Sequence, residues 1–137
     1  MEVRKLIVIF CGVLFSASCS AYQFKKSSEF TLFKNYALSS CVATHYKNES
    51  IYRDAIDALN GSREFGNLSL EAYHEINSVL PEWSKKVYKS KSGNVSEFFM
   101  CIDFHNSEDI AKIFNKYDPC KKQDNWDSKE QYNIRCK

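Results

Sequence analysis

The stretch from Ser69 to Val87 reads SLEAYHEINSVLPEWSKKV, and its apolar residues recur with the period of an α-helix. They lie 3, 3, 4, 3 and 4 positions apart: Leu70, Tyr73, Ile76, Leu80, Trp83 and Val87. This spacing puts all of them on one helix face, which a core can bury. Ser69 is a favourable N-cap, and Pro81 predicts a kink or a break near the end. The stretch therefore predicts a long amphipathic helix.

Four further stretches show the same period. It predicts helices over residues 31–47, 51–60, 95–105 and 107–117. We expect the second of these to end at Asn60-Gly61, and the third, which is apolar almost all round, to be the central helix. No segment alternates polar and apolar residues for long enough to form a strand. The sequence thus predicts an all-α fold, a compact bundle of about five helices with a disulfide-closed C-terminal loop.

The overall composition argues against several functional classes. The 137 residues include 19 Lys and Arg against 17 Asp and Glu, a net charge of +2, so no basic excess indicates a nucleic-acid-binding protein. Four glycines in the whole chain are too few for a phosphate-binding loop or a dinucleotide fold. We expect one domain with a modest core, no cofactor and no nucleic-acid partner.

The first 21 residues have the pattern of a secretory signal peptide. A basic pair precedes a ten-residue apolar run over residues 6–15, and small residues follow up to Ala21. The run is too short to cross a membrane as a helix, so we expect cleavage after Ala21 and no membrane insertion afterwards. Lipid attachment at Cys19 is the alternative. The predicted division is a signal peptide at 1–21, an all-α domain at 22–117 and a polar extension at 118–137 closed by a disulfide.

Export changes what the four remaining cysteines indicate. In an oxidising compartment, cysteines of a small exported protein form disulfides by default. Cys120 and Cys136 lie close together in the polar extension, whereas Cys41 and Cys101 lie inside segments with helical periodicity. We therefore predict the pairs Cys41–Cys101 and Cys120–Cys136.

Two Cys–His pairs provide alternatives to this interpretation. Cys41-x-x-x-His45 and Cys101-x-x-x-His105 each place both side chains on one helix face, and together they have the ligand types of a zinc site. Zinc needs thiolates, which an oxidising compartment removes, so we favour disulfides. Cys101, His105 and Asp103 also have the residue types of a cysteine hydrolase, but a helical Cys–His pair has no oxyanion hole. We predict no metal site and no catalytic residues.

Three ordered motifs resemble those of a known family, the amidase immunity proteins of bacterial type VI secretion. The motifs are NYALSSCVA at residues 35–43, FGN at 65–67 followed by EAYHEI at 71–76, and MCID at 100–103 followed by HNS at 105–107. The resemblance covers about residues 33–117 in the family's order and approximate spacing. It does not extend to residues 118–137 or the second cysteine pair, and Pro81 departs from the family pattern. It also supports an exported all-α protein with a Cys41–Cys101 bond.

This resemblance implies a non-enzymatic inhibitor. Family members are periplasmic homodimers that bind a papain-like cysteine amidase and block its cleavage of peptidoglycan peptide crosslinks. A protruding loop enters the amidase cleft, and the matching segment here spans Ser90 to Asn94. The predicted partner-binding residues are Lys89, Ser90, Lys91, Ser92, Gly93 and Asn94. A periplasmic inhibitor of another cell-wall hydrolase, such as lysozyme, is the alternative.

Overall fold

The protein is all-α, as predicted, in a computed structural model that describes residues 23–137. The α-helices, numbered α1 to α6, are Glu29–His45, Ile51–Phe65, Leu70–Trp83, Glu97–His105, Glu108–Tyr117 and Lys129–Arg135. Short 3₁₀ turns are formed by Gln23–Lys26, Pro119–Lys121 and Gln123–Asn125. None of the helices in this range is both long enough and apolar enough to cross a bilayer. The predicted signal peptide, with Cys19 and Ala21, lies outside the described residues.

The first helix, α1, is the central one, and it contacts α2, α3, α4 and α5. It begins at a cap in which the hydroxyl of Ser28 accepts a hydrogen bond from the backbone N–H of Thr31 at 3.2 Å. Its buried residues include Leu32, Phe33, Tyr36, Ala37, Ser40, Cys41, Val42 and Ala43. The prediction that residues 95–105 form the central helix is wrong. The helix there, α4, has nine residues and buries only one face, whereas α1 is long enough to be covered by four neighbours.

Aromatic rings fill the space between α1, α3 and α5. The ring of Tyr73 lies 4.6 Å from that of Tyr36 and 5.8 Å from that of Phe33, measured between centroids. Phe33 is in turn 5.8 Å from Phe114 on α5. Tilted ring pairs of this kind add about 0.5–1.5 kcal/mol each beyond the burial of their area. The apolar helix faces predicted from the sequence therefore pack together in one core that is rich in aromatic side chains.

The end of α2 differs from the prediction. The helix continues through Asn60-Gly61 and ends at Phe65. A glycine ends a helix when it takes a left-handed conformation, but Gly93 is the only residue with positive φ in the part of the chain that the structure describes. Gly61 stays helical, and only a few residues separate the end of α2 at Phe65 from the start of α3 at Leu70.

The following helix, α3, is shorter than its apolar pattern predicted. Its last turn includes Pro81, and it ends at Trp83 rather than reaching Val87. Leu70 and Val87, the two ends of the predicted stripe, are exposed, so only the middle of the stripe faces the core. Within a helix, proline removes one backbone hydrogen-bond donor and its ring clashes with the carbonyl four residues earlier, so it favours an end of the helix within the next turn.

Both predicted disulfides are present. Cys41 and Cys101 join α1 to α4 with their Cα atoms 5.5 Å apart, and both residues are fully buried. Cys120 and Cys136 close the C-terminal extension with a Cα separation of 5.4 Å. The extension, predicted as a loop, contains α6 and two of the 3₁₀ turns. Because the sulfur atoms are bonded in pairs, no thiolate of Cys41 or Cys101 remains for zinc.

Candidate functional site

The six predicted partner-binding residues form a small hairpin between α3 and α4. A single bridge pairs Lys89 with Val95, and the backbone N–H of Ser90 donates to the carbonyl of Asn94 at 2.9 Å. The backbone N–H of Gly93 donates to the carbonyl of Ser90, also at 2.9 Å, which closes the tip. This is the arrangement of a three-residue hairpin loop with a bulge. The predicted polar loop is therefore an ordered turn.

The hairpin's own polar groups rigidify it further. Gly93 has a φ of 84°, a left-handed conformation that glycine adopts without steric cost. The hydroxyls of Ser90 and Ser92 lie 2.7 Å apart, and the Ser90 hydroxyl accepts the backbone N–H of Asn94 at 3.2 Å. All residues from 89 to 94 are nevertheless exposed. The hairpin therefore presents its polar groups to solvent from an ordered turn.

The base of the hairpin is attached to the helices on either side. The carbonyl of Tyr88 accepts the backbone N–H of Ser96 at 2.9 Å, and Ser96 caps α4 by accepting the N–H of Phe99 with its hydroxyl. The Tyr88 hydroxyl donates to the carboxylate of Asp103, which raises the pKa of Tyr88. Its ring also contacts that of Phe99, at 6.2 Å between centroids. The orientation of the hairpin thus follows that of α4.

An exposed apolar face on α4 adjoins the hairpin. Phe98, Phe99 and Ile102 lie on one face of α4, and Val95, which is paired with Lys89 in the hairpin, is exposed as well. Phe98 is 44% exposed and Phe99 is 61% exposed, values unusual for large aromatic residues. The opposite face holds the buried residues Met100, Cys101 and Phe104. The nearly all-apolar sequence of this helix reflects two faces, one in the core and one on the surface. Contiguous exposed apolar residues of this kind mark interaction sites.

The residues considered for catalysis are not assembled into a catalytic group. Cys101 is buried in its disulfide, and the Asp103 carboxylate is bonded to Tyr88. His105 is half-buried, and this burial, together with the nearby Lys34 ammonium, lowers the pKa of His105.

The side chains of the other Cys–His pair, Cys41 and His45, also have separate partners. His45 lies 2.9 Å from the Ser84 hydroxyl and 3.8 Å from the Glu97 carboxylate. Across residues 23–137, no group of three or more His, Cys, Asp or Glu side chains is arranged to hold a metal ion.

The FGN motif surrounds a buried carboxylate that the sequence analysis missed. Glu29 is fully buried at the start of α1, and its Oε2 accepts the backbone N–H of Asn67 at 2.8 Å. Burial raises the pKa of Glu29, opposed by the Asn67 hydrogen bond and by Arg135. A Cβ atom at Gly66 would lie 2.9 Å from the hydroxyl of Tyr73, so any larger residue here would force a neighbouring group to shift. Nothing in the sequence signalled Glu29, because an acidic residue in the first turn of a helix is ordinary.

Fold and surface together define a small, disulfide-linked all-α protein that carries an ordered polar hairpin beside an exposed apolar face. Residues 31–114 match the family Tai4, described as type VI secretion system (T6SS), amidase immunity protein. The chain belongs to this family.

The fold is similar to a chain in the structure of the effector–immunity system Tae4/Tai4 from Salmonella typhimurium, a selenomethionine variant. The TM-score is 0.64 and the sequence identity 27%, over 72% of this chain and 98% of that chain. No curated protein matches. The resemblance expected from the three motifs is confirmed.

Proposed function

We propose that this protein is a periplasmic immunity protein that inserts its hairpin into the active-site cleft of a type VI secreted peptidoglycan amidase. The single observation that carries this proposal is the hairpin at residues 89–94, exposed along its whole length and held in one conformation by its own hydrogen bonds. The chain's membership of the amidase immunity family supports an amidase as the partner. The protein acts by binding and is not itself an enzyme.

The hairpin suits a narrow polar cleft such as that of a papain-like cysteine amidase. An inserted segment must be slim and must offer hydrogen-bonding groups to replace the water that it displaces. The side chains of Ser92 and Asn94 and the bare backbone at Gly93 meet these needs. Because the hairpin is ordered before it binds, little conformational entropy is lost on insertion. Lys89 and Lys91 add positive charge along the hairpin, which accelerates association with an acidic rim.

The apolar face on α4 provides the second half of this contact surface. Affinity at protein interfaces resides mostly in aromatic and apolar anchors, whereas a polar hairpin mainly determines fit. Phe99 contacts Tyr88 at the base of the hairpin, so the face and the hairpin are continuous. When the hairpin enters the cleft, the exposed rings of Phe98 and Phe99 pack against its rim.

The first experiment replaces residues 90–94 with a two-residue Asn-Gly turn in the full exported chain. The expected result is a loss of at least a hundredfold in inhibition of the cognate amidase, measured on peptidoglycan peptides. A matched control exchanges the exposed polar turn at residues 47–50, between α1 and α2, and should inhibit normally. Full inhibition by a folded hairpin variant would exclude the cleft-insertion proposal. Lysozyme assayed in parallel tests the alternative target, and its inhibition would redirect the assignment to another hydrolase.

The second experiment tests the apolar face by a Phe98→Ser, Phe99→Ser variant. We expect the dissociation constant for the amidase to rise at least tenfold, measured by calorimetry. If affinity is unchanged while an existing dimer dissociates, the face belongs to a second copy of the chain instead. Such a dimer is itself part of the proposal, because family resemblance predicts one, and light scattering of the free protein measures it directly.

Export is the remaining part of this proposal. The signal pattern at residues 1–21 predicts that the mature chain begins at Tyr22. N-terminal sequencing of the protein from a periplasmic extract checks this start. Retention of residues 1–21, or a lipid on Cys19, would contradict cleavage after Ala21.

A further inference from the structure

The C-terminal extension, residues 118–137, has no hydrophobic core of its own. It lies beyond the family match, which ends at residue 114. None of its residues is fully buried, and Trp126, Tyr132 and Ile134 are only half-buried. About twenty residues cannot be kept ordered by so little apolar burial, because ordering each residue costs roughly 1–2 kcal/mol of conformational entropy. Other interactions must hold the extension in place.

One arginine connects the extension to the start of the described chain. The Arg135 guanidinium, on α6, donates through Nη1 to the backbone carbonyls of Ser27 at 2.9 Å and Phe24 at 3.2 Å. Its Nε lies 4.0 Å from Oε1 of Glu29. The Arg135 side chain is only 11% exposed and that of Glu29 only 1%. A single side chain therefore spans more than a hundred residues of sequence and supplies the cation beside a buried carboxylate.

The second disulfide determines where this arginine lies. Cys136 follows Arg135 directly, and its bond to Cys120 ties the end of α6 to the 3₁₀ turn that follows α5. Inside the closed segment, the Tyr132 hydroxyl donates to the carbonyl of Cys120 at 3.3 Å. The indole N–H of Trp126 donates to the carbonyl of Pro119 at 3.1 Å. These contacts are local, so the disulfide is the covalent link that brings Arg135 to Glu29.

We infer that the extension is a redox-dependent clamp, in which the Cys120–Cys136 disulfide holds Arg135 against residues 24–29 and reduction of that bond releases it. A dithiol reductant opens the clamp: it transfers two electrons and two protons, the sulfur–sulfur bond becomes two thiols, and the dithiol becomes a cyclic disulfide. Once released, the extension gains chain entropy, and Glu29 loses its neighbouring cation. A buried carboxylate that has lost its neighbouring cation destabilises the folded state.

The two disulfides differ in their access to reductant. Cys41 and Cys101 are fully buried, whereas Cys120 and Cys136 are half-buried at the surface. Thiol–disulfide exchange requires a thiolate to reach one of the sulfur atoms, so the surface bond is reduced first. The clamp is therefore closed in an oxidising compartment and open in a reducing one, while the core disulfide is still intact.

One test is a thermodynamic cycle on the full exported chain. Arg135→Met is made with the disulfide present and again in a Cys120→Ser, Cys136→Ser background, and unfolding is followed in urea. We expect Arg135→Met to raise the unfolding equilibrium constant at least tenfold with the disulfide and less than threefold without it. Arg53→Met, at an exposed arginine on α2, is the matched control and should change little in either background. Equal effects of Arg135→Met in both backgrounds would overturn the clamp.

A second measurement needs no substitution, and it is decisive even if the serine variant does not fold. The oxidised protein is titrated with dithiothreitol, free thiols are alkylated, and mass spectrometry identifies the labelled cysteines. Cys120 and Cys136 should be labelled at a reductant concentration at least tenfold lower than Cys41 and Cys101. In the same samples, amide exchange at Glu29 and Asn67 should accelerate as the first pair is reduced. Simultaneous labelling of both pairs, or unchanged exchange, would refute the inference.

Discussion

The close approach of Gly66 to Tyr73 makes Gly66→Ala the sharpest test of the core. A Cβ atom at this position would lie 2.9 Å from the Tyr73 hydroxyl, 3.3 Å from the carbonyl of Ser62 and 3.5 Å from the Glu29 carboxylate. The backbone φ of Gly66 is −90°, which any residue adopts, so the substitution adds no backbone strain. Its whole cost is therefore the steric conflict with these neighbours.

The magnitude follows from how firmly the tyrosine is held. Its ring contacts those of Tyr36 at 4.6 Å and Phe33 at 5.8 Å, and Tyr73 is buried, so the hydroxyl cannot swing away. Extra atoms forced into a packed core cost about 1–3 kcal/mol. We expect Gly66→Ala to lower the free energy of unfolding by about 2 kcal/mol. Urea denaturation followed by circular dichroism measures this change.

A second substitution separates the steric cause from general damage. Tyr73→Phe removes the oxygen, and since this hydroxyl has no hydrogen-bond partner among residues 23–137, the change by itself should cost little. In that background, Gly66→Ala should cost at least about 1 kcal/mol less than in the parent, a coupling typical of residues in contact. Gly61→Ala is the control: outside its own stretch of helix backbone, no atom lies within 4 Å of its Cβ position, and alanine there should stabilise α2 by about 0.5–1 kcal/mol. If Gly66→Ala lowers the free energy of unfolding by less than about 0.5 kcal/mol, within which independent substitutions add, the steric argument is refuted. An equal loss in both backgrounds would refute it as well.

Three further predictions concern the core disulfide, the buried carboxylate and the hairpin. The Cys41→Ala, Cys101→Ala variant opens a link across a sequence separation of 60, which should cost about 4 kcal/mol in urea denaturation; a loss near zero would contradict the entropic account. The pKa of Glu29 is raised, which means that the folded state holds the proton of this carboxyl more tightly than the unfolded state does. The stability of the parent relative to Glu29→Gln should therefore fall as the pH rises above 4.5, the ordinary pKa of the group. Parallel unfolding curves of parent and variant between acid and neutral pH check the sign, and a rising difference would show it to be reversed. Gly93→Ala places a Cβ at a φ of 84° and should weaken the hairpin by about 1–2 kcal/mol. Faster amide exchange at positions 90 and 93 measures this loss, and unchanged exchange would show that the turn tolerates alanine.

Much of the fold is predictable because its elements are specified locally. Serines stand at the starts of several helices, and the hydroxyls of Ser28, Ser96 and Ser107 each accept a backbone N–H three residues later. Ser69, the predicted cap of α3, stands at the N-cap position, but its side chain makes no cap hydrogen bond. The disulfide pairing also follows from position alone, since one cysteine pair lies in apolar segments and the other in the polar extension. Helix ends were harder to predict. Asn60-Gly61 has the composition of a stop signal, yet the backbone continues because packing of α2 on α1 favours helix up to Phe65.

The sequence singled out the hairpin residues but not the exposed apolar face beside them, and partner binding by the hairpin stays a prediction. The hairpin residues were identified through their polarity and the family resemblance, but their ordered turn depends on Gly93 and on cross-loop hydrogen bonds. The apolar face beside it was misread. Phe98, Phe99 and Ile102 look like core residues in the sequence, and only the packing of α4 shows that their side is left uncovered.

The sequence by itself determines the helical class, the pairing of cysteines and the position of a polar insert, because periodicity, capping and composition act over a few residues. Only the tertiary structure decides which helix is central, which apolar face remains exposed, and that Arg135 reaches Glu29 across the molecule. These features depend on contacts between distant segments, and helical periodicity gives no information about which surfaces meet. An apolar stripe predicts that a helix needs a partner, and the folded chain determines whether that partner is its own core or another protein.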